Sequence, residues 1–285
     1  MTSLLPHGLQ NALSRGLLRC PLCHEPFAPR VRSLVCKQGH CYDAARQGHV
    51  NLAPGHKAPL GYGRPLMEAR AAVVAQGFFA PVLDWCRAGL AKLEEGKGPS
   101  ILDAGCGEGS FLTGLCAGLP AAVVAVGIDL ANEGVRIAAA RSKEQAWCVA
   151  DLAAIPAPDH VFSALLNVLS PANYAEFLRV LVPGGLLVKV VPTASHLREL
   201  RAALGLEEDY TNQPVVELFR RLFPTAQSQA MELALSCEPK NAERFLAMTP
   251  LGWHATQEQR EAFTAHPPPS ITVSLDLLWA RAPGG

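Results

Sequence analysis

A chain of 285 residues, of which 49% are hydrophobic, can bury a large core and hold more than one domain. Its 25 Lys and Arg residues balance 25 Asp and Glu residues, which excludes a uniformly basic nucleic-acid binder. Cys20, Cys23, Cys36 and Cys41 cluster near the start and the other cysteines are scattered through apolar segments, which fits reduced thiols and one metal site better than a secreted disulfide framework.

Residues 1–19 lack the unbroken apolar run of a signal peptide, and the longest apolar stretches, at 121–127 and 184–191, are strand-sized and too short to cross a bilayer. A cytoplasmic protein with no membrane partner is expected. The next segment carries Cys20-x2-Cys23 and Cys36-x3-His40, two pairs that a short hairpin can bring around one tetrahedral ion. Thiolate and imidazole donors select zinc, and a site closed by four protein ligands is structural. Cys41 is chemically acceptable as the fourth ligand, but the spacing favours His40. Positive charge is concentrated here: Arg15, Arg19, Arg30, Arg32, Lys37, Arg46, Lys57, Arg64 and Arg70 face only Glu25, Asp43 and Glu68 within the first seventy residues. A phosphate-contacting module on a more acidic body has this charge asymmetry. The expected organisation is a zinc module at 16–54, a connector at 55–66, and a catalytic domain over 67–285.

Within that domain, "SILDAGCGEGSF" reads as a buried strand, a glycine-rich turn and a helix start. Gly105 and Gly107 let the backbone approach a ligand, and Asp103 at the loop entrance suits a ligand with a cationic amino group. The spacing is not the dinucleotide fingerprint. A second strand ends at Asp129, placed to accept ribose hydroxyls, and a third ends at Asp151, placed to border an adenine. "FSALLNVLS" and "LVPGGLLVKVVP" read as the fourth and fifth strands, the segment around 197–226 as a helical insertion, and "QAMELALS" and "ITVSLDLLWA" as the last two strands, one of them antiparallel at the edge.

The D-x-G-x-G-x-G loop, the acid closing the second strand and the Pro183-Gly184-Gly185 turn together resemble the class I S-adenosylmethionine-dependent methyltransferases. That resemblance implies a Rossmann-like α/β fold with a seven-stranded sheet behind a small N-terminal zinc-binding module. With the zinc set, "YDAARQGHVNL", "MEAR", "PTASHLREL" and "MTPLGWHA", the chain resembles nearly end to end the bacterial 23S rRNA (guanine-N1)-methyltransferases. The resemblance implies zinc on Cys20, Cys23, Cys36 and His40, and cofactor contacts from Gly107, Glu108, Phe79 and His196. The implied reaction moves the methyl of S-adenosylmethionine to N1 of a guanine in a 23S rRNA hairpin loop, with macrolide susceptibility as one consequence. A homodimer is admitted.

The segment before "MEAR" lacks the acidic Gly-Asp pair that members often carry, and Asn167 is not followed by the Pro-Pro-aromatic run used on exocyclic amines, which suits a ring-nitrogen acceptor. No general base is singled out among Glu108, Asp151 and Glu199. Trp253 and Tyr174 are candidates to hold the target base, against core packing. The rival readings are a methyltransferase of another RNA or a small molecule, and a silent RNA-binding protein on the same fold.

Overall fold

The computed structural model describes residues 5–56, 61–91, 93, 98–206 and 211–284. Helix α1 (His7–Ser14) comes first, followed by a three-stranded antiparallel sheet of β1 (Phe27–Arg30), β2 (Ser33–Cys36) and β3 (Cys41–Asp43), and then a short strand β4 (Val50–Asn51). Part of the expected connector, 57–60, lies outside the described residues. Helices α2 (Arg64–Val74) and α3 (Ala80–Leu90) lead into the alternating core: β5 (Ser100–Ala104), α4 (Ser110–Cys116), β6 (Val124–Asp129), α5 (Asn132–Arg141), β7 (Ala146–Val149), β8 (Phe162–Val168), α6 (Tyr174–Val180) and β9 (Leu181–Pro192). Helices α7 (Arg198–Ala203) and α8 (Gln213–Leu222), strand β10 (Gln227–Ser236), helices α9 (Pro239–Ala247) and α10 (Gln257–Ala265), and strand β11 (Ser270–Arg281) complete it.

The main sheet runs β10-β11-β9-β8-β5-β6-β7-β4. The sequence predicts a seven-stranded sheet; among the described residues it has eight strands, because β4 from the N-terminal segment pairs in parallel with β7, Val50 opposite Cys148. β11 is antiparallel to both β9 and β10, so the sheet changes from parallel to antiparallel at that edge. Residues alternate between two apolar layers, as period-2 strands buried on both faces require. Ile101, Leu166 and Val188 face a layer closed by α2, α3, α9 and α10, while Leu102, Leu165 and Leu187 face one closed by α1, α6 and α8.

The second layer also contains Cys20, Phe27, Leu34, Cys36 and Tyr42, so the expected boundary at 54 separates no two cores. α1, which precedes the expected module, is part of this packing. Leu9 and Ala12 are fully buried, and Gly8 lies so close to the Gln145 backbone that no side chain fits. Ion pairs add a tether, with Asp159 accepting from Arg179 at 2.8 Å and lying 3.7 Å from Arg19. No helix among the described residues is long and apolar enough to cross a membrane.

Candidate functional site

The carboxy ends of β5 through β9 open into one cavity of about 1380 Å³. Phe79, Asp103, Gly105, Gly107, Glu108, Asp129, Asp151 and His196 all line it. The β5–α4 loop is folded tightly onto its neighbours. Gly105 has φ +90° and a methyl there would overlap the Ser170 hydroxyl, so the loop is locked against the segment after β8. Gly107 differs: the nearest atom to an added Cβ is Arg70 Nη1 at 3.7 Å, which leaves the loop surface open to a ligand.

Asp103 is 1% exposed and, among the described residues, neither carboxylate oxygen has a hydrogen-bond partner. Burial, with the Asp129 and Glu108 charges behind it, pushes its carboxyl up to about 8. An unpaired buried carboxylate is costly, and a cationic ligand group is the complement it lacks. This observation fits the ammonium of S-adenosylmethionine. Asp129 is positioned differently from a free ribose acceptor. Its Oδ2 accepts the Gly107 N–H at 2.9 Å and its Oδ1 accepts the Ala131 N–H at 2.7 Å, so it also holds the glycine loop in shape. Burial raises its carboxyl, opposed by these bonds.

Glu108 is 4% exposed, and Arg141 at 2.8 Å and Ser110 at 2.6 Å both donate to its Oε2. Asp151 Oδ1 accepts the Ala153 N–H at 2.8 Å, and Oδ2 lies 3.5 Å from His56 Nε2. His196 accepts the Ser274 N–H on Nδ1 at 3.3 Å, and burial lowers it to about 4, so the ring is neutral with its proton on Nε2. Phe79 packs edge-on to Phe78 and Phe111.

Glu199, a candidate base by sequence, does not line the cavity; both its oxygens accept from Thr272 and anchor the start of β11. Tyr174 reaches the cavity but is packed among Phe177, Phe219 and Phe223. Trp253 is 44% exposed and stands edge-on to Tyr62, which lines the cavity. Three cavity cations, Arg70, Lys189 and Arg201, are not singled out by the sequence. Arg70 donates to the Met248 carbonyl at 3.3 Å and sits near Glu108 and Asp129. Lys189 is 4% exposed within an apolar strand, and that one charge in "LLVKVVP" was the available signal.

In the N-terminal segment the ligand atoms of Cys20, Cys23, Cys36 and His40 lie within 4.8 Å of one another. His40 Nδ1 is 3.5 Å from Cys20 Sγ and 3.4 Å from Cys36 Sγ, and Cys23 Sγ is 3.5 Å from Cys36 Sγ. Ligand atoms around a tetrahedral zinc stand roughly 3.5–3.8 Å apart, so the set fits the ion. Cys41 is exposed and turned to Asp43, which leaves His40 as the fourth donor. Burial resists ionisation of Cys20, but bonds from the Cys23 and Leu22 backbone and from Tyr42 outweigh it and bring the thiol to about 6. Arg30 and Lys37 are exposed on this module, whereas Arg32 donates to the Ala45 carbonyl at 3.1 Å.

Comparison with known proteins bears on both segments. A zinc-ribbon profile described as "RlmA, N-terminal" matches residues 18–58, and a methyltransferase-domain profile matches residues 101–185. YxjB of Bacillus subtilis strain 168, provisionally named a 23S rRNA (guanine-N1)-methyltransferase, is 34% identical over 95% of this chain and 99% of its own. The 23S rRNA (guanine(748)-N(1))-methyltransferase of Streptomyces fradiae is 31% identical over 92% of this chain and 95% of its own. Among solved structures, the YcgJ protein of Bacillus subtilis is 17% identical, with a TM-score of 0.47 over 70% of this chain and 97% of that one.

Proposed function

The chain belongs to the 23S rRNA (guanine-N1)-methyltransferase family, and from that premise we propose that it transfers the methyl group of S-adenosylmethionine to N1 of a guanine in a hairpin loop of 23S rRNA. The observation that carries this reading is the unpaired, buried Asp103 at the mouth of a glycine loop, in a cavity larger than one cofactor fills. Small-molecule sites commonly measure about 300–1,000 Å³, so the remaining space admits a nucleobase.

When bound, the cofactor supplies an electrophilic methyl group on a sulfonium. The chain supplies position and exclusion of water. Asp103 holds the ammonium, Asp129 reads the ribose while tying down Gly107, and Asp151 borders the adenine. Phe79, Glu108 and His196 close the walls, with Gly105 and Gly107 giving close backbone approach. A guanine N1 carries a proton and attacks only after losing it, so alignment and proton removal are the two demands. Orientation alone is worth about 7 kcal/mol or more. Because a paired guanine hides its N1 edge, an already open hairpin loop is the economical substrate.

We assign residues 16–54 to RNA recognition, with zinc fixing their shape and Arg30 and Lys37 meeting phosphates. The reading places the protein in the cytoplasm with ribosomal RNA as partner. It includes an effect on macrolide susceptibility, measured as the inhibitory concentration for strains with and without the gene. Sedimentation velocity tests the homodimer. The direct experiment incubates the purified protein with labelled S-adenosylmethionine and a hairpin transcript, then digests the RNA and identifies the labelled nucleoside. N1-methylguanosine is expected, and label on any other position overturns the assignment.

A further inference from the structure

The cavity has two halves. Over β5, β6 and β7 it is acidic, with Asp103, Asp129 and Asp151. Over β8 and β9 it carries Ser170, Lys189 and Thr193, with Asn167 bonded to the lysine. Asn167 is fully buried, and its amide is fixed in one orientation. Both of its N–H groups are committed, to the Ala104 carbonyl at 2.7 Å and to the Pro171 carbonyl at 3.0 Å. Its Oδ1 therefore faces Lys189 and accepts from Nζ at 2.6 Å. The Ser170 carbonyl is the second acceptor for Nζ.

Both acceptors are neutral, and Lys189 forms no ion pair among the described residues, so one position on its nitrogen remains for a ligand in the cavity it lines. A charged group in that setting is retained for chemistry more readily than for stability. Its location is specific. Ala104 immediately precedes Gly105, and Ser170 packs against Gly105, so the lysine is linked through Asn167 and Ser170 to the loop that receives the methyl donor.

We propose that Lys189 is the catalytic base: its neutral amine meets the Watson–Crick edge of the acceptor guanine and removes the N1 proton. This rests on the guanine-N1 reading above. The N–H bond of N1 breaks with its proton passing to Nζ. The N1 electron pair forms the new N–C bond, and the methyl–sulfur bond breaks with its pair remaining on sulfur, so the sulfonium becomes a neutral thioether and the lysine an ammonium. Burial in the apolar strand layer brings the ammonium down to about 8, which makes the neutral amine accessible near neutral pH. The titratable groups lining the same cavity from adjoining elements are Asp103 from β5, Tyr174 from α6, His196 from the segment after β9 and Arg201 from α7; β11 sets Leu278 opposite Lys189. Of these, Asp103 is also raised to about 8, and saturation with cofactor removes its contribution by pairing it.

The test uses the full chain with zinc, saturating S-adenosylmethionine and the hairpin transcript. Wild type is expected to show kcat rising with pH and levelling near 8. Lys189→Ala is expected to lose on the order of 10²–10⁴-fold in kcat while keeping cofactor affinity by calorimetry. Added primary amines should restore turnover, faster for the more basic amine. Lys189→Arg keeps the charge and the donors but cannot act as a base; it is expected to be as slow as the alanine variant and not to respond to amines, and it serves if alanine unfolds the chain. In free wild type the Nζ nitrogen-15 signal should titrate near 8. An arginine variant within threefold of wild type, or an alanine variant that amines do not rescue, overturns the proposal while leaving guanine-N1 methylation standing. Wild type that labels another position overturns both.

Discussion

At Asp103 two oxygens are buried without a donor, and the consequence is measurable without any substrate. The folded carboxyl is raised to about 8 from 3.8, so between these values the folded state binds more protons than the unfolded one and stability falls as pH rises. Its contribution is fully present below about 4 and lost through about 8. Chemical denaturation of the cofactor-free protein at several pH values is expected to show a decline approaching 1.4 kcal/mol per pH unit from this one group. Asp103→Asn should flatten it and weaken cofactor binding. Asp129→Ala is expected to lower cofactor affinity and also to cost about 1–3 kcal/mol of stability, because the Gly107 and Ala131 N–H groups lose their acceptor. Calorimetry and denaturation on the same variant separate the two effects. Every cavity acid named from the sequence does reach the cavity except Glu199, whose local pattern gave no hint that Thr272, far along the chain, would claim it.

Among the elements not read from the sequence, which also include α3, α6, α9 and α10, α1 and β4 are the ones that join the N-terminal segment to the main sheet. Leu5, Leu9 and Ala12 are spaced for one helical face, but the segment is short, and its burial depends on a sheet assembled from residues more than a hundred positions later. β4 is only two residues long and carries no periodicity at all. The strands of the core were legible because parallel strands covered on both faces are continuous apolar runs. Leu9→Ala, outside both profile matches, is expected to destabilise the whole chain by about 2–5 kcal/mol, read from a denaturant midpoint. Loss of zinc through Cys23→Ser should likewise lower a single thermal transition, because Cys20, Cys36 and the sheet share one apolar layer. Two transitions, the upper one unshifted, would show instead that the module folds independently.

For the molecule as a whole, neutral net charge conceals a basic N-terminal segment on a more acidic body. Charge reversal at Arg30 and Lys37 is expected to weaken hairpin binding and reduce the slope of log affinity against log salt by roughly 0.7–0.9 for each phosphate no longer neutralised, with zinc content and cofactor affinity unchanged. Arg32, equal to these in sequence, is the weaker choice because it already holds backbone carbonyls. The seating of β4 reaches beyond recognition. β7 is a four-residue strand with every position buried, and its outer side is covered by Val50 and Asn51 and by the Leu52 N–H bonded to Val149. A chain that fails to acquire metal and releases this segment would present Ala146–Val149 as a bare, apolar strand border, the kind of surface on which other chains polymerise. Metal supply then governs solubility as well as activity: the protein made under zinc starvation is expected to collect in the insoluble fraction, and chelation in vitro should produce concentration-dependent light scattering.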